Sequence, residues 1–213
     1  ETLLHRACIY GQLKMIKYLV QTYPTMIHAV DNNKRTPAHK ASENGNVAVL
    51  SYLIDRGTDP WCRTSKKETL LHRACINGQL EMTKYLVQTY PTMLCEVDNS
   101  KTTPAHKAAE SGNVAVLSYL IDRGTDPWCR TSKEETLLHR ACINGQLEMT
   151  KYLVQTYPTM LHEVDISKRT PAYYAANSNN SGLLGDYLES LKGDVSDVPL
   201  ERKKTQEECC NVI

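Results

Sequence analysis

The stretch Glu1-Thr-Leu-Leu-His-Arg-Ala-Cys8, ETLLHRAC, returns unchanged at Glu68–Cys75 and again at Glu135–Cys142. That recurrence sets a period of 67 residues, and self-similarity at a fixed period of this size is the mark of an array of stacked units rather than of one globular core. The first copy, residues 1–67, and the second, residues 68–134, differ at 11 of 67 positions. Each copy is itself double. Threonine-led segments begin at Thr2, Thr36, Thr69, Thr103, Thr136 and Thr170, so the steps alternate between 34 and 33 residues and give six units.

Within a unit the local signals agree. In RTPAHKASENGNVAVLSYLIDRGTD, residues 35–59, Thr36 is placed to cap a short helix whose first turn holds Pro37, a position with no amide hydrogen to satisfy. Gly45 ends that helix. A second helix follows, with Val47, Val49, Leu50, Leu53 and Ile54 as its apolar stripe and Gly57 as a left-handed cap. The remainder, TDPWCRTSKK, is turn-rich. Helices this short are not stable alone, so each unit must bury its face against the next, and the row shares one core.

These residues resemble the ankyrin repeat, whose pattern runs T-P-L-H-x-A, a glycine, a second helix and then G-A-D. The resemblance covers Glu1 to about Leu191 in six hits in register, and it implies an all-α ankyrin-repeat solenoid of helix-turn-helix units with hairpin-like loops. The expected repeats are 1–34, 35–67, 68–101, 102–134 and 135–168, then a degenerate capping repeat 169–192 and a tail 193–213. Odd units depart from the pattern: they read TLLH and close with QTYPT, so Tyr23-Pro24 and its copies stop the helix by holding the residue before proline extended. In the sixth unit Tyr173 replaces the motif histidine and Asn179 the glycine. There Leu184 and Leu188 are expected to face inward, with Asp186, Glu189 and Lys192 forming a polar outer side.

Composition excludes several functions. Twenty-five Lys and Arg balance 24 Asp and Glu, so no basic field exists to hold nucleic acid phosphates. No apolar run approaches a bilayer span and no secretory leader opens the sequence, which gives a cytoplasmic expectation. Eight cysteines fit reduced thiols, and no C-x-x-C pair suggests zinc. His5, His39, His72, His106 and His139 all fill the histidine of T-x-x-H, where the resemblance implies a hydrogen bond to backbone between repeats. Cys8, Cys75 and Cys142 take the place of a small packed alanine, and Cys62 and Cys129 pack between units. His28, Cys95 and His162 share one position that accepts either residue. No G-x-S-x-G, P-loop, H-E-x-x-H or dinucleotide fingerprint is present, so no enzyme activity, cofactor or metal is implied.

The resemblance implies a protein partner bound on hairpin tips and the exposed face of the first helices. On this sequence those positions are Tyr10, Asn33, Arg35, Glu43, Asn44, Lys66, Glu68, Asn77, Ser100, Thr102, Glu110, Ser111, Lys133, Glu135, Asn144 and Arg169. Four of the 11 differences between the first two copies fall among them: Tyr10/Asn77, Asn33/Ser100, Arg35/Thr102 and Asn44/Ser111. Solvated tips free to vary would show the same pattern. Trp61 and Trp128 stand where the family has a polar Asn; each is either an anchor for a partner or a ring laid back over a neighbouring unit.

Both ends raise further expectations. Glu1 starts inside a unit whose helix pair lacks a polar outer face, so either further repeats precede it or another molecule stacks there through self-association. After Leu191 the repeat ceases, and the charged tail closes on ECCNVI. Its last four residues, Cys210-Asn211-Val212-Ile213, resemble a C-a-a-X prenylation box, with Asn211 polar where the pattern is aliphatic. One lipid holds only marginally, so palmitate on Cys209 and the pull of Arg202, Lys203 and Lys204 on anionic lipid would complete peripheral membrane association.

Overall fold

The computed structural model describes residues 1–178 and 181–190, without the side chains of Ser181 and Glu189. Among them are twelve α-helices, three 3₁₀ turns and no strand. The helices form six consecutive pairs: α1 (Leu3–Ile9) with α2 (Leu13–Thr22), α3 (Pro37–Glu43) with α4 (Val47–Asp55), α5 (Leu70–Ile76) with α6 (Leu80–Thr89), α7 (Pro104–Ser111) with α8 (Val114–Asp122), α9 (Leu137–Ile143) with α10 (Leu147–Thr156), and α11 (Pro171–Ala176) with α12 (Ser181–Ser190). The chain divides into two compact units, Glu1–Asn99 and the residues from Ser100 onward. In the first, α1 packs on α3 and α3 on α5; in the second, α7 packs on α9 and α9 on α11. This is the all-α repeat stacking that the 67-residue period predicts.

Each first helix starts on a threonine in extended conformation. Thr2 Oγ1 accepts from the His5 amide while the His5 ring takes the Thr2 amide at 3.1 Å, a capping box in which imidazole replaces the usual Glu or Gln. Since Nδ1 accepts that amide, the ring proton sits on Nε2, which donates to the Arg35 carbonyl at 2.9 Å, one repeat ahead. His106 and His139 reach the Glu135 and Arg169 carbonyls in the same way, at 3.3 and 3.1 Å. The histidine therefore caps its own helix and ties it to the next turn. His39 makes the box, but its Nε2 closes no hydrogen bond.

The second helices of the odd repeats end as the Tyr-Pro step requires: Tyr23 leaves helical conformation at φ −133° and Pro24 opens the 3₁₀ turn Pro24–His28. The first helices of repeats one to five are each followed by a glycine at positive φ: Gly11, Gly45, Gly78, Gly112 and Gly145. Gly45, at φ +71°, allows the Gln79 carboxamide of the following repeat to lie over it and donate to the Glu43 carbonyl at 3.2 Å. A Cβ at Gly45 would collide with the Gln79 carboxamide oxygen, whereas one at Gly57, φ +96°, would meet nothing within 4 Å. Gly57→Ala is thus expected to cost only the left-handed strain, about 1 kcal/mol. Gly45→Ala adds a disrupted hydrogen bond, for about 2 kcal/mol in total. Urea midpoints of the two variants check this; equal midpoints would show that Gln79 moves aside freely.

Burial refines two sequence expectations. In α4 only Val49, Leu50 and Leu53 are buried, while Val47 and Ile54 are half-buried, so the inward stripe is narrower than the apolar pattern. In α12 Leu184 and Leu188 are buried and Asp186 exposed as expected, yet Leu183 is 67% and Tyr173 50% exposed, so the outer side is not wholly polar. Asn179 and Lys192 lie outside the described residues.

Candidate partner-binding surface

The turns that join the pairs are built without strands. Asp31 Oδ1 accepts the amides of Asn33 and Arg35 at 2.8 and 3.0 Å, and the Asp31 amide donates to the Arg35 carbonyl at 3.0 Å. Thr64 does the same work one repeat on, its Oγ1 accepting from the Lys66 and Glu68 amides. Closing each turn puts its fourth residue in left-handed conformation: Lys34, Lys67, Lys101, Glu134 and Lys168 have φ between 53° and 62°. Successive tips then join, the Ser65 amide donating to the Asn33 carbonyl at 2.8 Å and, in the second unit, the Ser132 amide to the Ser100 carbonyl at 2.8 Å. Asp31 and Asp165 are buried, which opposes their charge, but the amides and arginine that they bind, with the Tyr174 hydroxyl at Asp165, hold both carboxyls at about 2.

In the first unit Tyr10, Asn33, Asn44, Trp61, Lys66 and Asn77 are exposed, and Arg35 and Glu43 half-buried. In the second, Ser100, Lys133 and Asn144 are exposed, and Glu110, Ser111, Trp128 and Arg169 half-buried. Three expected surface positions are corrected. Glu68 and Glu135 are 5% and 4% exposed because each carboxylate turns inward to an arginine five residues on, Arg73 and Arg140, both at 3.2 Å. Thr102, at 4%, is also buried. Trp61 lies edge-on against Tyr90 of the next repeat at 6.1 Å between centroids, and Trp128 against Tyr157 at the same distance. The rings are laid back over a neighbour, with Trp61 keeping 36% of its surface exposed. Cys209, Cys210 and the rest of the tail lie outside the described residues.

Two arginines organise the surface of the first unit, the expected Arg35 and Arg73, which the sequence reading passed over. Arg73 on α5 donates from Nε to Glu43 at 2.9 Å and from Nη1 to Glu68, while Arg35 donates from Nε to Asp31 at 2.8 Å and from Nη1 to Glu43 at 3.4 Å. Lys40, only 5% exposed, closes the inner side against Glu1 at 2.9 Å and Glu43 at 3.5 Å. Around these groups opens a cavity of about 110 Å³, with Asn33, Arg35, Lys66 and Arg73 in its lining. The spacing Glu68…Arg73, repeated at Glu135…Arg140, was the signal available in the sequence. Elsewhere Arg63 joins Glu96, and Arg130 joins Glu163, across consecutive repeats of each unit. Four of the thiols are poor nucleophiles: burial pushes Cys8, Cys75 and Cys142 up to about 12 and Cys62 to about 11.

A family model described as ankyrin repeats (3 copies) matches residues 1–64, 57–131 and 119–187. The chain is 32% identical over 130 residues to a Caenorhabditis elegans homolog of transient receptor potential cation channel subfamily A member 1, covering 61% of this chain and 11% of that protein. It is 27% identical over 210 residues to alpha-latroinsectotoxin-Lt1a of Latrodectus tredecimguttatus, covering 91% of this chain and 14% of the toxin. With the ankyrin repeat-containing protein C6C3.08 of Schizosaccharomyces pombe it shares 30% identity over 152 residues, 71% of this chain and 52% of the relative. It thus spans only part of the length of each. Among the described residues no helix is long and apolar enough to cross a membrane.

Proposed function

Since this chain belongs to the ankyrin-repeat family, whose repeat is a protein–protein interaction module, we propose that it is a cytoplasmic, non-enzymatic scaffold that takes a protein partner on the turn tips and the exposed ends of its first helices. One observation carries this. Tyr10, Asn33, Asn44, Asn77 and Ser100, five of the eight residues in the four surface differences between the first two copies, are exposed on backbone that those copies otherwise nearly share. Rigid framework with variable tips is how such surfaces individualise. The test is affinity capture followed by cross-linking mass spectrometry. Links from a captured protein should start at Lys66 and Lys133, which are exposed on tips; links confined to Lys14 and Lys17, exposed on α2, would overturn the assignment.

A second reading, self-association, is favoured by the outer face of the first pair. Leu3, Met15 and Tyr18 are 66%, 49% and 61% exposed, while Leu70 and Met82, their equivalents one period on, are fully buried where α3 and α4 cover α5 and α6. The chemistry that fits this face is another such helix pair, from a second copy or from repeats that precede Glu1. Light scattering at two concentrations decides it, a steady monomer counting against. Lipid attachment at Cys209 and Cys210 remains a proposal carried by ECCNVI alone; intact mass from eukaryotic cells, wild type against Cys210→Ser, tests it, and an unmodified wild type defeats it.

A further inference from the structure

The cavity at the tips of the first unit has a charge that the proposed binding surface leaves unused. Its seven lining residues include three cations, Arg35, Lys66 and Arg73, and one carboxylate, Glu68, so the lining carries a formal charge of +2. The two guanidiniums do not point freely. Arg35 is fixed through Nε and Nη1 to Asp31 and Glu43, and Arg73 through Nε and Nη1 to Glu43 and Glu68. Glu43 binds both, which holds the pair side by side. The Nη2 end of each guanidinium is left without a bond among the described residues, and Lys66 stands exposed at the turn tip beside them. Fixed guanidinium groups with spare hydrogens in a concave site recognise oxyanions, and pre-ordering removes most of the entropy cost of forming the contact.

The second layer selects among oxyanions. Counting Glu1, Asp31 and Glu43 behind the arginines with Glu68 gives four carboxylates against the four cations Arg35, Lys40, Lys66 and Arg73, so these eight groups together add no net charge. A single added negative charge meets the three cations of the lining first. The cost of desolvating an anion grows with the square of its charge while its attraction to the site grows only in proportion, so a site with these carboxylates behind it favours a monoanion over a dianion. The corresponding place in the second unit lacks the pair: Thr102, buried, stands where Arg35 stands, and Arg140 is bound to Glu110 at 2.7 Å and to Glu135.

We propose that this cavity receives the side-chain carboxylate of an Asp or Glu on the protein partner, bound by the free ends of Arg35 and Arg73 and by Lys66. The proposal rests on the protein-binding reading above and adds the chemistry of one contact. Its test uses the full chain, ¹⁵N-labelled, titrated with the blocked peptide Ac-Gly-Glu-Gly-NH₂, with its Gln analogue and with inorganic phosphate. The Glu peptide is expected to shift the amides of Asn33, Ser65 and Lys66 saturably, in the millimolar range of a single charge-assisted contact, and the Gln peptide to leave them in place. Arg35→Thr is a residue the same fold carries at position 102, and it is expected to weaken the Glu peptide about tenfold, as loss of one charged hydrogen-bonding group does. Equal shifts with the Gln peptide, or full binding by Arg35→Thr, overturn the proposal; tighter binding of phosphate than of the Glu peptide overturns the choice of a monocarboxylate. Partner capture run in parallel separates the two readings. A partner held on the tips by both wild type and Arg35→Thr leaves the scaffold standing and removes the carboxylate site.

Discussion

Lowering the pH from 6.5 to 4 is expected to cost the protein about 3 kcal/mol of stability through one side chain, His39. Its imidazole is fully buried, and that burial holds its pKa at about 4, below the ordinary 6.5. The backbone of Glu68 and the carboxylates of Glu43 and Glu68 favour the charged ring, Arg73 disfavours it, and burial prevails. The sign follows from proton counting. Above pH 6.5 both states hold a neutral ring and nothing changes. Between 6.5 and 4 the unfolded chain takes up a proton that the folded one refuses, so stability falls with pH at up to about 1.4 kcal/mol per unit; below 4 the slope vanishes. His5 and His139 are shifted in the same direction by burial and steepen the loss. Carboxylates act later: Asp31 and Asp165, held at about 2, add stability above 3.8 that goes only as pH falls from there towards 2. Urea unfolding at pH 7.5, 5.5 and 4.5 measures the slope, and His39→Gln should flatten it while lowering stability at neutral pH. A wild-type midpoint that does not move between 7.5 and 4.5 would show that the folded rings accept protons.

The same histidine shows how far the sequence could be read. Its place in T-x-x-H, three residues after a capping threonine, announced the helix start, and at His5, His106 and His139 the same place announced the tie to the next repeat, because both bonds depend on local spacing and on a period visible in the chain. The Tyr-Pro stops and the alanine and leucine core were legible for the same reason. Glu68 and Glu135 were not. A glutamate one residue before a helix cap reads as solvated, and only the return of Arg73 or Arg140 from the far side of the first helical turn buries it. The left-handed Lys34 and Lys67 gave no sign either, since lysine has no preference for that conformation and is held there by Asp31 and Thr64 closing the turn. Leu183 escaped by the opposite route: in the sixth unit it takes the position of Val49 and Val116, which are buried, and yet it is exposed.

Excising residues 170–192 is expected to remove on the order of 3–5 kcal/mol and to drive the shortened protein toward aggregation. In the second unit α11 is the neighbour of α9 and of the 3₁₀ turn Pro158–His162, and α12 packs on α11. The excision takes out the buried side chains of Ala175, Leu184 and Leu188. It also takes out the ring of Tyr174, which meets His139 edge-on at 6.1 Å and donates its hydroxyl to Asp165 at 2.5 Å. Fully burying each leucine is worth about 1.5–3 kcal/mol, and in a stacked array the lost term is the whole interface of the terminal pair, including the surface of α9 and of the turn Pro158–His162 newly left to water. Asp165 would lose the hydroxyl that helps to hold its carboxylate, which loosens the turn carrying Arg169. Point variants separate this from a gross folding failure. Leu184→Ala and Leu188→Ala should each cost about 2–5 kcal/mol as buried cavities, whereas Leu183→Ala, next to them but exposed, should stay within about 0.5 kcal/mol. Thermal melts and light scattering read the series. If the excised chain melts as the full one does, and Leu184→Ala behaves like Leu183→Ala, then the last pair stabilises nothing and the stack ends at α10.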